Sequence, residues 1–148
     1  GKWTLYFIVM TLSITPLKKI TKLNIWINYR RMFGLFIFFY ASVHLMTYVG
    51  LDYRFDLASI GDDIIKKKYI FIGFLAWLLL IPLAATSNLR MMKILKEKWK
   101  KLHRLIYLIS LFGVIHYLWL VKRDLTEPLI FLAIILTLLI TRLKFKSY

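Results

Sequence analysis

The chain has only three histidines, His44, His103 and His116, and each falls within a long apolar stretch. Ionisable side chains inside a membrane span are rare and costly, so a functional site is the first explanation to consider for them. Imidazole is a common ligand of iron and other transition metals. The three histidines are therefore the candidate metal ligands of this chain.

The absence of cysteine narrows the chemistry that these histidines can serve. Without a thiol there is no disulfide, no iron–sulfur cluster, no thiolate zinc site and no C-x-x-C-H attachment of a c-type haem. Any metal or haem must be held by nitrogen, oxygen or methionine sulfur. The seven acidic residues all lie between the apolar stretches, which leaves few candidates for acid–base catalysis or metal transport inside the membrane.

The positions of His44 and His116 indicate that their side chains lie at the same depth. They follow the basic residues Arg31 and Lys101 by about 13 and 15 residues, which at about 1.5 Å of helix rise per residue places them about 20 and 22 Å along their helices. Both helices run in the same direction. Two histidines at matching depth on two helices could ligate one haem iron from both sides. The alternative for each is a structural hydrogen bond.

Small residues accompany both histidines. Ala41 precedes His44 by three positions and Gly113 precedes His116 by three, so each small residue shares a helix face with its histidine. A flat porphyrin needs such gaps, and the many aromatic side chains could form the walls of its pocket. Ordinary close packing of membrane helices is the alternative explanation.

His103 does not fit the same pair. The 13 residues that separate it from His116 leave an offset of roughly 220° around the helix, so the two histidines do not share a face. The position 14 residues beyond His103 is Tyr117, and the second apolar stretch has no second histidine. His103 therefore holds an inner haem with another or no partner, contacts a quinone or flavin, or is an interfacial residue.

The elements that position these residues are predicted from hydropathy. With 148 residues and a 60% hydrophobic composition, the chain is about one domain and too apolar to be soluble. A spanning helix needs about 20 mostly apolar residues. Five stretches meet or approach that length, at residues 3–17, 32–51, 69–86, 102–121 and 128–143. We expect an all-α fold, a multi-pass transmembrane helix bundle in which residues 1–148 form one domain.

The formal net charge of +15 predicts the orientation of these helices. The segments after the first and third stretches and the C-terminal tail, which includes Lys146, carry +5, +6 and +3, whereas the alternate segments together carry +1. Because basic residues collect on the cytoplasmic side, we expect these three segments, and so the C-terminus, to be cytoplasmic. The basic loops are then explained by membrane topology and by contact with anionic lipid. We expect no nucleic acid partner. An apolar start on the outer side leads us to expect a preceding sixth helix.

Longer motifs surround the histidines. They read YRRMFGLFIFFYASVHLMTYVGLD around His44, GFLAWLLLIPLAATS in the third stretch, and WKKLHRLIYLISLFGVIHYLWLVK around His103 and His116. These segments resemble the MsrQ (YedZ) family, the haem-binding membrane subunits of bacterial methionine-sulfoxide reductase systems, within the ferric-reductase-like transmembrane group. The segments SITPL and PLIF are also similar to that family, and the likeness covers nearly the whole chain.

This resemblance implies one or two b-type haems, ligated through His44, His103 and His116, in a ferric-reductase-like haem-binding domain. It also implies FMN as a further cofactor. Electrons would come from the quinone pool or a cytoplasmic flavin reductase and pass to a periplasmic molybdopterin subunit that reduces methionine sulfoxide in proteins. The chain would lie in the bacterial inner membrane. The second apolar stretch carries one histidine where the matching helix of NADPH oxidases in the wider group carries two, so a symmetric pair of bis-histidine haems is not implied.

Two other classes of function are kept as alternatives. One is a single-haem metalloreductase that acts directly on ferric or cupric ions, since four aspartates in the second loop could attract a cation. The other is a membrane scaffold or transporter without redox activity, in which the histidines are structural.

Overall fold

The computed structural model of the protein describes residues 1–144, and Lys146 of the predicted basic tail lies outside them. All regular structure in the described part is helical, which confirms the predicted all-α class. The helices are α1 (Lys2–Thr21), α2 (Trp26–Thr47), α3 (Leu57–Lys66), α4 (Lys68–Ala85), α5 (Leu89–Leu95), α6 (Glu97–His103), α7 (Leu105–Leu120) and α8 (Thr126–Lys144). A π-helical turn, Tyr48–Asp52, continues α2.

The five predicted stretches correspond to α1, α2, α4, α7 and α8, with shifted boundaries. The second helix begins at Trp26 instead of residue 32, so Arg30 and Arg31 belong to α2 and not to the preceding loop. The fourth is divided at Arg104, which separates His103 at the end of α6 from the helix that carries His116.

Two short helices, α3 and α5, lie in segments where only loops were expected. Asp56 begins α3 and its side chain accepts hydrogen bonds from the backbone N–H groups of Ala58 and Ser59. Asn88 does the same for α5 through the N–H of Met91. Asp and Asn are strong N-cap residues, so these helix starts were present as local signals in the sequence.

Three helical segments within residues 1–144 are long and apolar enough to cross a membrane: Asn28–Asp52, Lys68–Ala85 and Glu97–Leu120. The count of five spans stays a prediction. Large apolar side chains are widely exposed on the bundle, among them Phe39 (56%), Met46 (58%) and Ile130 (54%). Apolar surface of this extent is typical of a face that contacts lipid or protein.

The core forms where α1 packs on α2 and α8, and where α4 packs on α7 and α2. Apolar side chains from these helices meet there: Leu5, Ile8, Leu12, Ile37, Leu80, Ile109, Val114 and Ile135 are among those buried. The indole N–H of Trp77 donates to the Ser42 hydroxyl at 3.0 Å, which links α4 to α2. The bundle therefore packs both histidine-bearing helices, α2 and α7, against α4.

A half-buried arginine, Arg142, compensates for the hydrogen bond that α1 lacks at Pro16. Proline has no N–H, so the carbonyl of Leu12, four residues earlier, has no partner within α1. Arg142 of α8 donates from Nη2 to this carbonyl at 2.9 Å and to that of Thr11 at 3.1 Å. Its Nη1 donates to the Tyr107 hydroxyl at 3.1 Å. One guanidinium thus connects α1, α7 and α8.

Replacing Arg142 by methionine (Arg142→Met) is expected to lower the thermal unfolding midpoint in detergent micelles. The change leaves the Leu12 carbonyl unpaired, and an unsatisfied buried acceptor costs about 1–3 kcal/mol. The matched control is Arg31→Met, at an exposed position of α2. In a Pro16→Ala background the restored backbone N–H pairs with Leu12, so Arg142→Met should cost less there. Equal costs in both backgrounds would contradict this role.

Candidate functional site

His44 and His116 face each other, as their matching depths predicted. The ring centroids are 6.2 Å apart and the ring planes are inclined by 68°. Two imidazole nitrogens that each bond a metal at about 2 Å, with the centroid of each ring about 1 Å further back, give a separation of about 6 Å. The observed spacing therefore fits one metal ion between the two rings.

A hydrogen bond sets the orientation of the His116 ring. Its Nδ1 lies 2.7 Å from the backbone carbonyl oxygen of Tyr69 in α4. Because a carbonyl only accepts, Nδ1 carries the proton, and the other nitrogen, Nε2, of the neutral ring is free to act as a ligand. A backbone carbonyl on the second nitrogen is a common partner of metal-ligating histidines, since it fixes the tautomer and raises ligand basicity.

Gly73 makes this contact possible. A Cβ atom at position 73 would lie 2.6 Å from Nδ1 and 2.8 Å from Cε1 of His116, both impossible distances. The position follows Tyr69 by one helical turn, so the bare backbone of α4 leaves the path to the Tyr69 carbonyl open. Neither Gly73 nor Tyr69 was identified from the sequence, because a lone glycine in an apolar helix is an ordinary feature of membrane proteins.

A cavity of about 830 Å³ lies between α1, α2, α4 and α7 and is lined by both rings. Its volume is within the range of about 300–1,000 Å³ typical of small-molecule and cofactor pockets. Most of the wall is apolar, with Leu5, Ile8, Trp77, Leu80 and Ile109 among the lining residues. An open, largely apolar space beside two facing imidazoles fits the donor set and the flat apolar body of a haem.

The two small residues that were predicted to leave space for a cofactor both do so, and one of them also packs against a neighbouring helix. Ala41 and Gly113 both line the cavity. A Cβ at Gly113 would also lie 3.4 Å from Cδ2 of Leu5, so this glycine contributes to the close packing of α1 on α7. Both explanations offered for Gly113 therefore apply at once.

A polar cluster forms the mouth of the cavity at the end of the bundle that holds the π-helical turn. Lys67 pairs with Asp63 at 2.6 Å, and Tyr53 and Tyr48 donate hydrogen bonds to the same carboxylate. The Lys67 ammonium and the Tyr53 hydroxyl lower the pKa of Asp63. Asp52 lines the mouth as well. This cluster was not predicted from the sequence, because its members are brought together by the turn between α2 and α3.

His103 lies apart from the facing pair and does not line the cavity. Its Nε2 is 3.0 Å from the Thr86 hydroxyl, and its ring stacks on Trp99 with centroids 3.9 Å apart. The Trp99 indole N–H donates to the Thr86 carbonyl at 2.9 Å, which ties α6 to the end of α4. Within residues 1–144, no group of three or more His, Asp or Glu side chains converges on one metal position.

Known proteins similar to this chain include curated haem-binding subunits. One is the protein-methionine-sulfoxide reductase heme-binding subunit MsrQ of Xanthomonas euvesicatoria, 50% identical over 94% of this chain and 64% of that protein. The subunit of the same name from Herminiimonas arsenicoxydans is 47% identical over 96% of this chain and 66% of that protein. The chain thus spans slightly less than two thirds of the length of these relatives. No solved structure matches it.

The family-level match covers most of the helices described above. The model of the ferric reductase like transmembrane component matches residues 1–114. This range includes α1 to α6 and two of the three histidines, His44 and His103. Together with the apolar helices that can span a membrane, this match defines a multi-pass transmembrane helix bundle. The chain therefore belongs to the family of ferric reductase-like transmembrane components.

Proposed function

We propose that this chain is the haem-binding part of a membrane electron-transfer subunit, and that His44 and His116 are the axial ligands of one b-type haem. The observation that carries the proposal is the facing pair of imidazoles, with centroids 6.2 Å apart, on the wall of an apolar cavity. The name of the similar MsrQ proteins, heme-binding subunits, supports the same cofactor.

In this proposal the bound haem supplies one-electron redox chemistry, and the protein supplies ligands, orientation and a low dielectric. His116 is held by the Tyr69 carbonyl and offers Nε2 to the cavity. His44 approaches from α2 on the opposite side. Apolar side chains of α1 and α4 line the space between them, and the Lys67–Asp63 ion pair lines the same cavity. No bond-making catalysis is needed in this subunit.

His103 is proposed as a contact of a second cofactor, a further haem or FMN, at the opposite end of the bundle. Its support is its position beside Trp99, whose flat ring stacks on the imidazole. Its Nε2 must leave the Thr86 hydroxyl before it can bind a metal. The cavity between His44 and His116 does not depend on this step.

The proposed direction of electron transfer follows from charge. In this proposal the end of the bundle that carries the basic segments, with His103 and the C-terminus, faces the cytoplasm, and His44 and His116 lie toward the outer face of the bacterial inner membrane. Electrons would enter from quinol or a cytoplasmic flavin reductase. They would leave to a periplasmic molybdopterin subunit that reduces protein methionine sulfoxide. The name of the relatives, which assigns them to a protein-methionine-sulfoxide reductase, supports the reaction but not the molybdopterin.

A second candidate function is a metalloreductase that reduces ferric or cupric ions directly. The carboxylate of Asp52, which lines the cavity, favours it, because it could attract a cation close to the haem. The rate at which different acceptors oxidise the reduced protein distinguishes the two functions. Rapid oxidation by chelated ferric or cupric ions favours the metalloreductase, whereas oxidation only by the methionine-sulfoxide reductase subunit favours the electron conduit.

The ligand assignment is tested by replacing each histidine in turn by alanine. His44→Ala and His116→Ala should each remove most of the Soret absorbance and of the reduced-minus-oxidised difference spectrum, because each removes one axial ligand of the same iron. His103→Ala is the matched control, and it should keep the haem bound by the pair. Full haem content in purified His44→Ala protein would refute this assignment.

Gly73→Ala tests the positioning of His116 without touching a ligand. The new methyl group must displace the imidazole from the Tyr69 carbonyl, and loss of such a partner lowers metal affinity by about 10–100-fold. We therefore expect weaker haem retention during gel filtration and a shifted haem potential. Gly34→Ala is the matched control, because a Cβ at Gly34 meets nothing within 4 Å. Equal haem retention by both variants would show that the His116–Tyr69 contact is unimportant.

A further inference from the structure

Two lysines lie on the wall of the cavity that the facing histidines share. Among the described residues that line it, Lys2 and Lys67 are the ones with a lysine or arginine side chain. Lys2 begins α1, and Lys67 immediately precedes α4. Most of the remaining wall is apolar, so the cationic part of the cavity is confined to these two positions.

Each lysine lies close in the chain to a contact of one imidazole. The residue before Lys2 is beside His44, since a Cβ atom there would lie 3.5 Å from Nε2 of that ring. Lys67 precedes Tyr69 by two positions, and the Tyr69 carbonyl oxygen is 2.7 Å from Nδ1 of His116. Two residues are about 3 Å of helix rise. The two cations therefore flank the pair of proposed ligands.

A carboxylate fixes each ammonium group without using all of its donors. Lys67 pairs with Asp63 at 2.6 Å, and Lys2 pairs with Glu127 at 2.5 Å. The hydroxyl of Tyr117, which lines the cavity as well, donates to the same oxygen of Glu127 at 2.6 Å. An ammonium group has three N–H donors. One donor serves the carboxylate in each pair, so the others can bind a second acceptor.

Neither carboxylate depends on its lysine alone. Asp63 accepts hydrogen bonds from the hydroxyls of Tyr53 and Tyr48, and Glu127 accepts one from Tyr117. These phenols continue to stabilise the carboxylates when an ammonium group is shared with another anion. The two ion pairs can therefore hold lysines in place for a negatively charged ligand of the cavity.

We propose that Lys2 and Lys67 bind the two propionate carboxylates of the haem that His44 and His116 are proposed to ligate. A haem carries two carboxylates on one edge of a flat apolar ring, and the cavity has two ammonium groups on a largely apolar wall. Hydrogen bonds between ammonium and carboxylate are among the strongest in proteins. The inference rests on the proposed haem function, and it adds which edge of the ring faces the two lysines.

The test compares haem b with its dimethyl ester, in which the iron and the ring are unchanged but both carboxylates are uncharged. Soret titration of the full chain in detergent micelles measures the affinity for each, and the wild-type protein should bind haem b more tightly than the ester. Lys2→Met and Lys67→Met should each weaken the binding of haem b about tenfold, the low end for a hydrogen bond to a charged group, because both side chains are about half exposed. The affinity of these variants for the ester should stay at the wild-type level.

Lys66→Met is the matched control. Lys66 is adjacent to Lys67 and pairs with Asp62 at 2.5 Å, but it does not line the cavity. This variant loses the same charge and a similar ion pair, so it should bind haem b and the ester as the wild-type protein does.

Three outcomes would overturn the propionate site. Equal binding of haem b and the ester by the wild-type protein would remove the contacts with the carboxylates. Equal weakening of both porphyrins in Lys2→Met and Lys67→Met would assign the lysines to the stability of the bundle. Equal weakening of haem b in Lys66→Met would attribute the preference to overall charge. Failure of the haem proposal itself is distinct, because the wild-type protein would then show no bis-imidazole spectrum with either porphyrin, and the lysine site would fall with it.

Discussion

Hydrocarbon offers no hydrogen-bond partners, so a polar group inside a membrane bundle must be satisfied by the protein itself. This requirement explains the contacts that hold the bundle together. Arg142 pairs with the carbonyl that Pro16 leaves open, Trp77 pairs with Ser42, and His116 pairs with the carbonyl of Tyr69. Each contact joins two helices. The apolar surfaces of these helices are alike, so the polar contacts determine which helix faces pack together.

The same requirement shapes the candidate haem site. An imidazole in an apolar cavity is held by whatever acceptor it reaches, and His116 reaches one only because Gly73 has no side chain. Its other nitrogen, Nε2, is not used in this hydrogen bond and is available as a metal ligand. His44 carries no such anchor among the contacts of the described residues, so the two proposed ligands are unequally fixed. The more exposed His44 is the one on the helix that ends in a π-helical turn.

The two ends of the bundle differ in how their charges are compensated. At the cavity mouth, Asp63 is surrounded by Lys67 and two tyrosines, and its charge is neutralised locally. At the other end, the ion pairs within residues 1–144 include neither Arg30 nor Arg142, and Glu97 pairs with Lys100. Such an asymmetry of charge orients a membrane bundle, because basic residues collect on the cytoplasmic side.

Much of this molecule follows from local properties of the sequence. The apolar stretches, the segregation of charge and the equal depths of His44 and His116 depend on helix rise and residue hydropathy, so they were predictable without coordinates. The spacing of 13 residues between His103 and His116 also predicted that His103 lies apart from that pair, although the helix is divided at Arg104. The contacts that orient the site did not, because Tyr69 and His116 are 47 positions apart, and Leu12 and Arg142 are 130 apart. Such pairs are set by which helices become neighbours, and hydropathy cannot distinguish one apolar helix face from another.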